Sequence, residues 1–125
     1  MDTRESVREQ LEPLLISGKV ATCGMIDLEL LFSAASKATY IALANALRGM
    51  PRVPMNDRVF DRALEVQAHL ANNSQHKAVT LPHLLIAASA EINGLVVLHY
   101  DRDFDRIAKI TQQPTQWVVP RGSVS

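Results

Sequence analysis

Apolar residues recur at helical spacing through most of this chain, then gather near its carboxyl-terminal end into an unbroken run. At the start, Asp2 with Glu5 three residues on has the form of a capping box. Val7, Leu11, Leu14 and Leu15 supply an apolar face and Gly18 a stop, which predicts a first helix. Val20 to Cys23 reads as a short strand, and Met25 to Ser36 as a Leu- and Ala-rich helix with Asp27 and Glu29 in its first turns. Thr39 to Leu47 continues helically until Gly49, and Pro51 to Pro54 marks a loop. Asn56 then caps a helix whose stripe, Val59, Ala63, Val66 and Leu70, has the period of a face packed on a core; the polar stretch Asn72 to Lys77 ends it. A helix from about Pro82 to Ile92 closes at Asn93 and Gly94, since proline is tolerated in a first helical turn. The run Leu95 to His99 has no polar alternation and reads as a strand buried on both faces. A helix from about Asp103 to Ile110 and a short edge strand from Trp117 to Val119 complete the order. Helix, glycine, strand, helix and strand make up the rhythm of βαβ units, which predicts an α/β fold with a mostly parallel sheet.

Composition narrows the function classes. The 125 residues, 47% of them hydrophobic, suit one domain over residues 1–125 with a core of its own. Cys23 is the single cysteine, which excludes a disulfide scaffold and argues against a thiolate metal site; a lone thiol fits a cytoplasmic protein. No apolar run approaches the roughly 20 residues needed to span a bilayer, and the amino terminus is too charged for a signal peptide, so a soluble chain with no membrane role is expected. Thirteen basic and thirteen acidic residues balance, so no global field draws in a polyanion and any RNA binding must be local. Arg102, Arg106 and Lys109 sit beside the acidic cluster, either holding phosphates or, as isolated basic residues on a helix face more often do, facing solvent.

The chemistry points to the end of the apolar run, where Asp101, Asp103 and Asp105 follow two apart. Open α/β sheets place their sites at the carboxyl ends of strands, and carboxylates crowded there suggest a divalent metal. Ser33, Ser36 and Ser89 lie in no nucleophile elbow and read as packing residues, as do the scattered methionines. His99 reads as packing at a strand end, and His69 and His76 as surface residues.

At this point the residues carry a resemblance. The segment PHLLIAASAEINGLVVLHYDRDFDRIAKITQQPTQWVV resembles the PIN domain of VapC-type toxins, whose pattern is P-D-L-L-I-A-A-x-A-E, a glycine, a strand, then H-x-D-x-D-F-x-x-I-A. The segment CGMIDLELLFSA resembles the same family's second motif, a glutamate early in a helix after a short strand. The resemblance implies a three-layer α/β/α fold and a metal-dependent endoribonuclease, the toxin of a toxin–antitoxin pair. Glu29, Asp101 and Asp103 match the family's acidic positions as catalytic residues and ligands for Mg2+, with Mn2+ as a substitute. Asp105 lies outside that core set and suits a charge in a helix's first turn. Arg102 and Arg106 are the RNA-binding candidates, and the implied partners are a cognate antitoxin protein, an RNA substrate and a second copy of the chain.

Two departures accompany the match. The family opens with a buried strand ending in aspartate, whereas this sequence begins at its first helix, so that strand is expected to be absent unless an upstream start supplies it. His83 stands where the family has aspartate, as metal ligand, as acid or base, or as a substitution that weakens the site. Magnesium demands oxygen ligands in near-octahedral geometry, lowers the pKa of bound water and neutralises charge on the phosphate under attack. Two readings of different class follow. In the first the chain is a ribonuclease toxin that cleaves RNA with metal-activated water. In the second it is a degenerate, weak or inactive relative that acts through antitoxin binding or self-association.

Overall fold

Asn56 begins the central helix as its pattern predicts: its side chain accepts from the Val59 N–H at 3.4 Å, satisfying one of the helix's open donors. The computed structural model describes residues 21–99 and 101–117. Within them the order is α1 (Gly24–Phe32), α2 (Lys37–Arg48), α3 (Asp57–Asn72), α4 (Leu81–Ile92), β1 (Val97–His99), α5 (Arg102–Thr111) and β2 (Thr115–Trp117). The expected helix from Asp2 to Leu15 lies outside the described residues, as do Tyr100 and residues 118 and 119 of the expected last strand.

The stripe Val59, Ala63, Val66 and Leu70 is the buried face of α3. It packs on Leu84, Ala87 and Ala88 of α4 and on Phe104 and Ile107 of α5 in one core, which Val97 and Cys23 join. Arg62 of α3 grips Glu91 of α4 through two bonds, Nε to Oε1 at 2.6 Å and Nη2 to Oε2 at 3.2 Å, and also reaches Glu65. These bonds, Glu91 first, hold the guanidinium pKa above its ordinary value.

Three chain reversals position the site. At the end of α3, Ser74 takes a left-handed conformation (φ 57°), with Gln75 N–H bonded to Leu70 O and Ser74 N–H to Ala71 O. The same pair of bonds closes α4, where Gly94 at φ 67° donates to Glu91 O and Leu95 to Ala90 O. That turn swings the chain straight into β1. After α5, Gln112 at φ 59° ends the helix and Gln113, buried, donates its side-chain amide to Ala87 O at 2.9 Å. That bond seats the start of β2, which pairs parallel with β1 in the register Val97 to Thr115 and His99 to Trp117. Of the expected strand from Val20 to Cys23, whose first residue lies outside the described residues, the structure shows a parallel bridge between Thr22 and Arg52.

Two expectations are corrected. The helix expected to run from Met25 to Ser36 ends at Phe32, because Ser33 returns its hydroxyl to Leu30 O at 2.7 Å and Ser36 instead caps α2, accepting from Thr39 N–H at 3.1 Å. The run Leu95 to His99 is not buried on both faces: Val97 and His99 are buried, Leu98 is half-buried and Val96 is 50% exposed. No described helix is long and apolar enough to cross a membrane.

Candidate metal centre

Two helix amino termini meet at Asp103. Asp101 is the N-cap of α5, and its Oδ1 accepts from the Asp103 N–H at 2.8 Å. Thr80 is the N-cap of α4 but caps nothing with its own side chain. Its N–H and hydroxyl turn instead to Asp103 Oδ2, at 3.1 and 3.5 Å. His83, in the first turn of α4, brings Nδ1 to the same oxygen at 2.7 Å. The amino-terminal ends of two helices therefore meet at one carboxylate.

Asp103 Oδ2 is thereby filled by donors. Among the described residues, the neighbour of its other oxygen, Oδ1, is Arg106 Nη1 at 3.9 Å, and that guanidinium spends a 3.0 Å bond on Ala78 O. Asp101, on the exposed side, commits Oδ1 to its cap and leaves Oδ2 to solvent. Among the described residues, His83, Asp101 and Asp103 form a group whose ligand atoms all lie within 4.8 Å of one another. Two carboxylates and an imidazole form a donor set that fits a divalent ion.

The sequence placed Asp101 and Asp103 together, and they are together; His83, a candidate beside them, joins the group. Glu29 lies half-buried in α1 and is not one of the three residues of this group. Asp27, two residues before it, is buried and its Oδ2 accepts from Arg52 Nη2 at 2.5 Å. Residues two apart on a helix face different ways, so Asp27 and Glu29 serve different surroundings. Asp105, in the first turn of α5, also lies outside the group and accepts from Trp117 Nε1 at 3.2 Å, tying β2 to α5. Arg102 is exposed on α5, and Arg106 reaches back to Ala78 and Asp103.

His99 backs the site from beneath. Its Nδ1 accepts from the Asp101 N–H at 3.2 Å, and its ring lies 4.9 Å from Phe104 and 4.8 Å from Trp117 between centroids. Burial pushes its pKa below the usual imidazole value, so the ring stays neutral and can accept that bond. Thr80 and the Asp27–Arg52 pair were not read as site elements. Nothing local marks Thr80, because its partner is 23 residues away.

Comparison with known proteins gives this geometry its setting. The family model for the PIN domain matches residues 2–110. The chain is 42% identical over 123 residues to Ribonuclease VapC18 of Mycobacterium tuberculosis (strain ATCC 25618 / H37Rv), covering 97% of this chain and 90% of that protein. It is 44% identical over 119 residues to Ribonuclease VapC21 of Mycobacterium tuberculosis (strain CDC 1551 / Oshkosh), covering 94% and 86%. In fold it is similar to a chain of a solved member of the VapBC family of toxin–antitoxin systems, VapBC-5 from Mycobacterium tuberculosis. The TM-score is 0.59 at 24% identity, over 78% of this chain and 79% of that one. By the extent of these matches, and with its aspartate pair at the end of a parallel strand, the chain belongs to the PIN-domain family.

Proposed function

We propose that this chain is a metal-dependent endoribonuclease, the toxin of a type II toxin–antitoxin pair. The observation that carries the reading is the meeting of Asp101, Asp103 and His83 at two helix amino termini. A divalent ion, when bound, lowers the pKa of water and neutralises negative charge on the phosphate being attacked. The chain's residues do the rest. Asp101 Oδ2 and Asp103 Oδ1 are the carboxylate oxygens left to hold it, while Thr80 and His83 fix Asp103 by its other oxygen. Glu29 is the further carboxylate of the matched motif, and Arg102 with Arg106 the cationic edge for RNA phosphates. Magnesium is the ion that the carboxylate oxygens of Asp101, Asp103 and Glu29 suit, and the cytoplasm is the compartment this reading assigns.

A protein antitoxin is the assigned partner, and a second copy of the chain another. Apolar side chains open to solvent on α1 and α2, among them Phe32 at 93% exposure with Leu28, Tyr40 and Ile41, support such contacts. The degenerate reading, in which the chain acts through those contacts alone, draws on one observation: an imidazole sits where a carboxylate would serve magnesium better. One experiment separates the two. Purified chain is expected to cut RNA only with a divalent ion present, and Asp101→Asn to abolish cutting. Cleavage in a chelator, or full activity in that variant, would overturn the nuclease reading, and no cleavage with any ion would favour the degenerate one.

A further inference from the structure

We propose that His99 is a positioning residue for Asp101, acting through Nδ1 and setting which carboxylate oxygen the site presents; the inference rests on the ribonuclease reading above. Asp101 is the exposed member of the aspartate pair, and an exposed side chain at a helix end ordinarily samples several rotamers. Here it is held twice. Its backbone N–H donates to His99 Nδ1 at 3.2 Å and its Oδ1 accepts from the Asp103 N–H at 2.8 Å, so Oδ2 is the oxygen left free of both bonds. A backbone N–H can only donate, which places the lone pair on Nδ1 and the ring hydrogen on Nε2. The bond itself assigns the tautomer.

More than packing holds this ring in place. His99 is 4% exposed, and its Nε2 is buried without a hydrogen bond among the described residues. A buried donor left unpaired is unfavourable, so what the ring contributes lies at its other nitrogen and on its faces. The rings of Phe104 and Trp117, tilted by 41° and 55° to it, fix the imidazole plane and with it the direction of the Nδ1 lone pair. Trp117 is in turn tied through Nε1 to Asp105 Oδ1, which makes β2 a backing for the ring. The phenyl ring of Phe104 also lies 4.7 Å from that of His83, whose Nδ1 contacts Asp103 Oδ2. One aromatic side chain thus spaces the two imidazoles that hold the two aspartates, His99 by a backbone N–H and His83 by a carboxylate.

The experiment compares His99→Asn with His99→Gln in the full chain. Both remove the ring and lose its packing on Phe104 and Trp117, but the Asn oxygen falls where Nδ1 lies and can accept from an N–H two residues on, whereas the Gln oxygen falls where Nε2 lies. His99→Asn is expected to keep the Asp101 amide protected from hydrogen exchange and to cut RNA at close to the wild-type rate. His99→Gln should lose that protection and about 10–100-fold in kcat, the loss typical of removing an outer partner of a site carboxylate, with KM little changed. Equal losses in the two variants would mean that the ring acts by packing alone and would overturn the positioning role. A second measurement needs no substitution: in uniformly 15N-labelled wild-type chain, scalar coupling across the hydrogen bond between the Asp101 amide nitrogen and His99 Nδ1 is expected, and an Nδ1 that carries the hydrogen instead would also overturn the role. A wild-type chain that shows the coupling yet cuts no RNA with any divalent ion would sink the ribonuclease reading on which the role depends.

Discussion

Cys23 is 1% exposed and lies where α1 begins, close enough to Ser89 and Asp27 for both to act on its thiol. Burial pushes its pKa up; backbone hydrogen bonds at Ile26 and Met25 oppose this, and the charge of Asp27 adds a smaller raising effect. Since the thiolate is the reactive form, a buried thiol with a raised pKa is doubly protected. The folded chain at pH 8 is therefore expected to leave a disulfide reagent such as Ellman's unreacted over the time in which the same chain in guanidinium reacts completely. Rapid stoichiometric reaction of the folded protein would show that the amino end of α1 opens freely. Cys23 as a lone thiol could be read from sequence; its burial could not, because α1 carries no strong apolar stripe. Asp101 and Asp103 were legible for a local reason, the abrupt end of an apolar run. Thr80 was silent because its role depends on a carboxylate far along the chain.

At the level of elements, α1 is anchored to the loop before α3 by a backbone bridge and by one ion pair of unequal ends. Thr22 donates to Pro51 O at 2.8 Å and accepts from Val53 N–H at 2.7 Å, while Arg52, its side chain 63% exposed, reaches the buried carboxylate of Asp27. The two ends should respond differently to substitution. Arg52→Ala strands a buried charge and is expected to cost about 1–3 kcal/mol, below the range of fully buried pairs because the arginine already faces water. Asp27→Asn leaves only an exposed cation and should cost less, and adding it to Arg52→Ala should recover stability. Urea unfolding of the three variants decides this; equal losses from both single substitutions would mean that the pair is not the anchor. Elements of this kind were partly legible. The caps at Asn56 and at Asn93–Gly94 were readable because specific residue types satisfy helix ends, and the stripe of α3 because a buried face imposes its period. The left-handed turns at Ser74 and Gln112 were not, since neither residue advertises a positive φ, and β2 begins two residues earlier than read because Gln113 is seated by Ala87.

Across the whole molecule charge is balanced, 13 basic against 13 acidic residues, which sets how an RNA can be held. The α/β class and the placing of acids at a strand end followed from the alternation of periods along the chain, while the packing of α4 and α5 so that their amino termini share Asp103 is a tertiary outcome with no local signature. That packing also fixes where positive charge lies: Arg102, Arg106 and Lys109 are exposed on α5, next to the aspartates, although Arg106 is partly held by Ala78. Each phosphate neutralised on a single strand contributes about 0.7 to the slope of log affinity against log salt, so these three residues predict a slope of about −2. The measurement is fluorescence anisotropy of a labelled single-stranded RNA with cleavage-deficient Asp101→Asn, titrated in potassium chloride from about 50 to 300 mM, the range over which counterion release is read. Arg102→Gln is expected to flatten the slope by about 0.7 and Arg106→Gln by less, because the latter must first leave its carbonyl. A slope near −6 would mean that phosphates are gripped by many cations away from α5, and the aspartate cluster would then no longer mark where the RNA backbone lies. A slope of about −2 that falls to about −0.7 or less when Arg102 and Lys109 are both neutralised would instead place the backbone along α5, with its phosphates brought to Asp101 and Asp103 by two or three local charges rather than by the field of the protein.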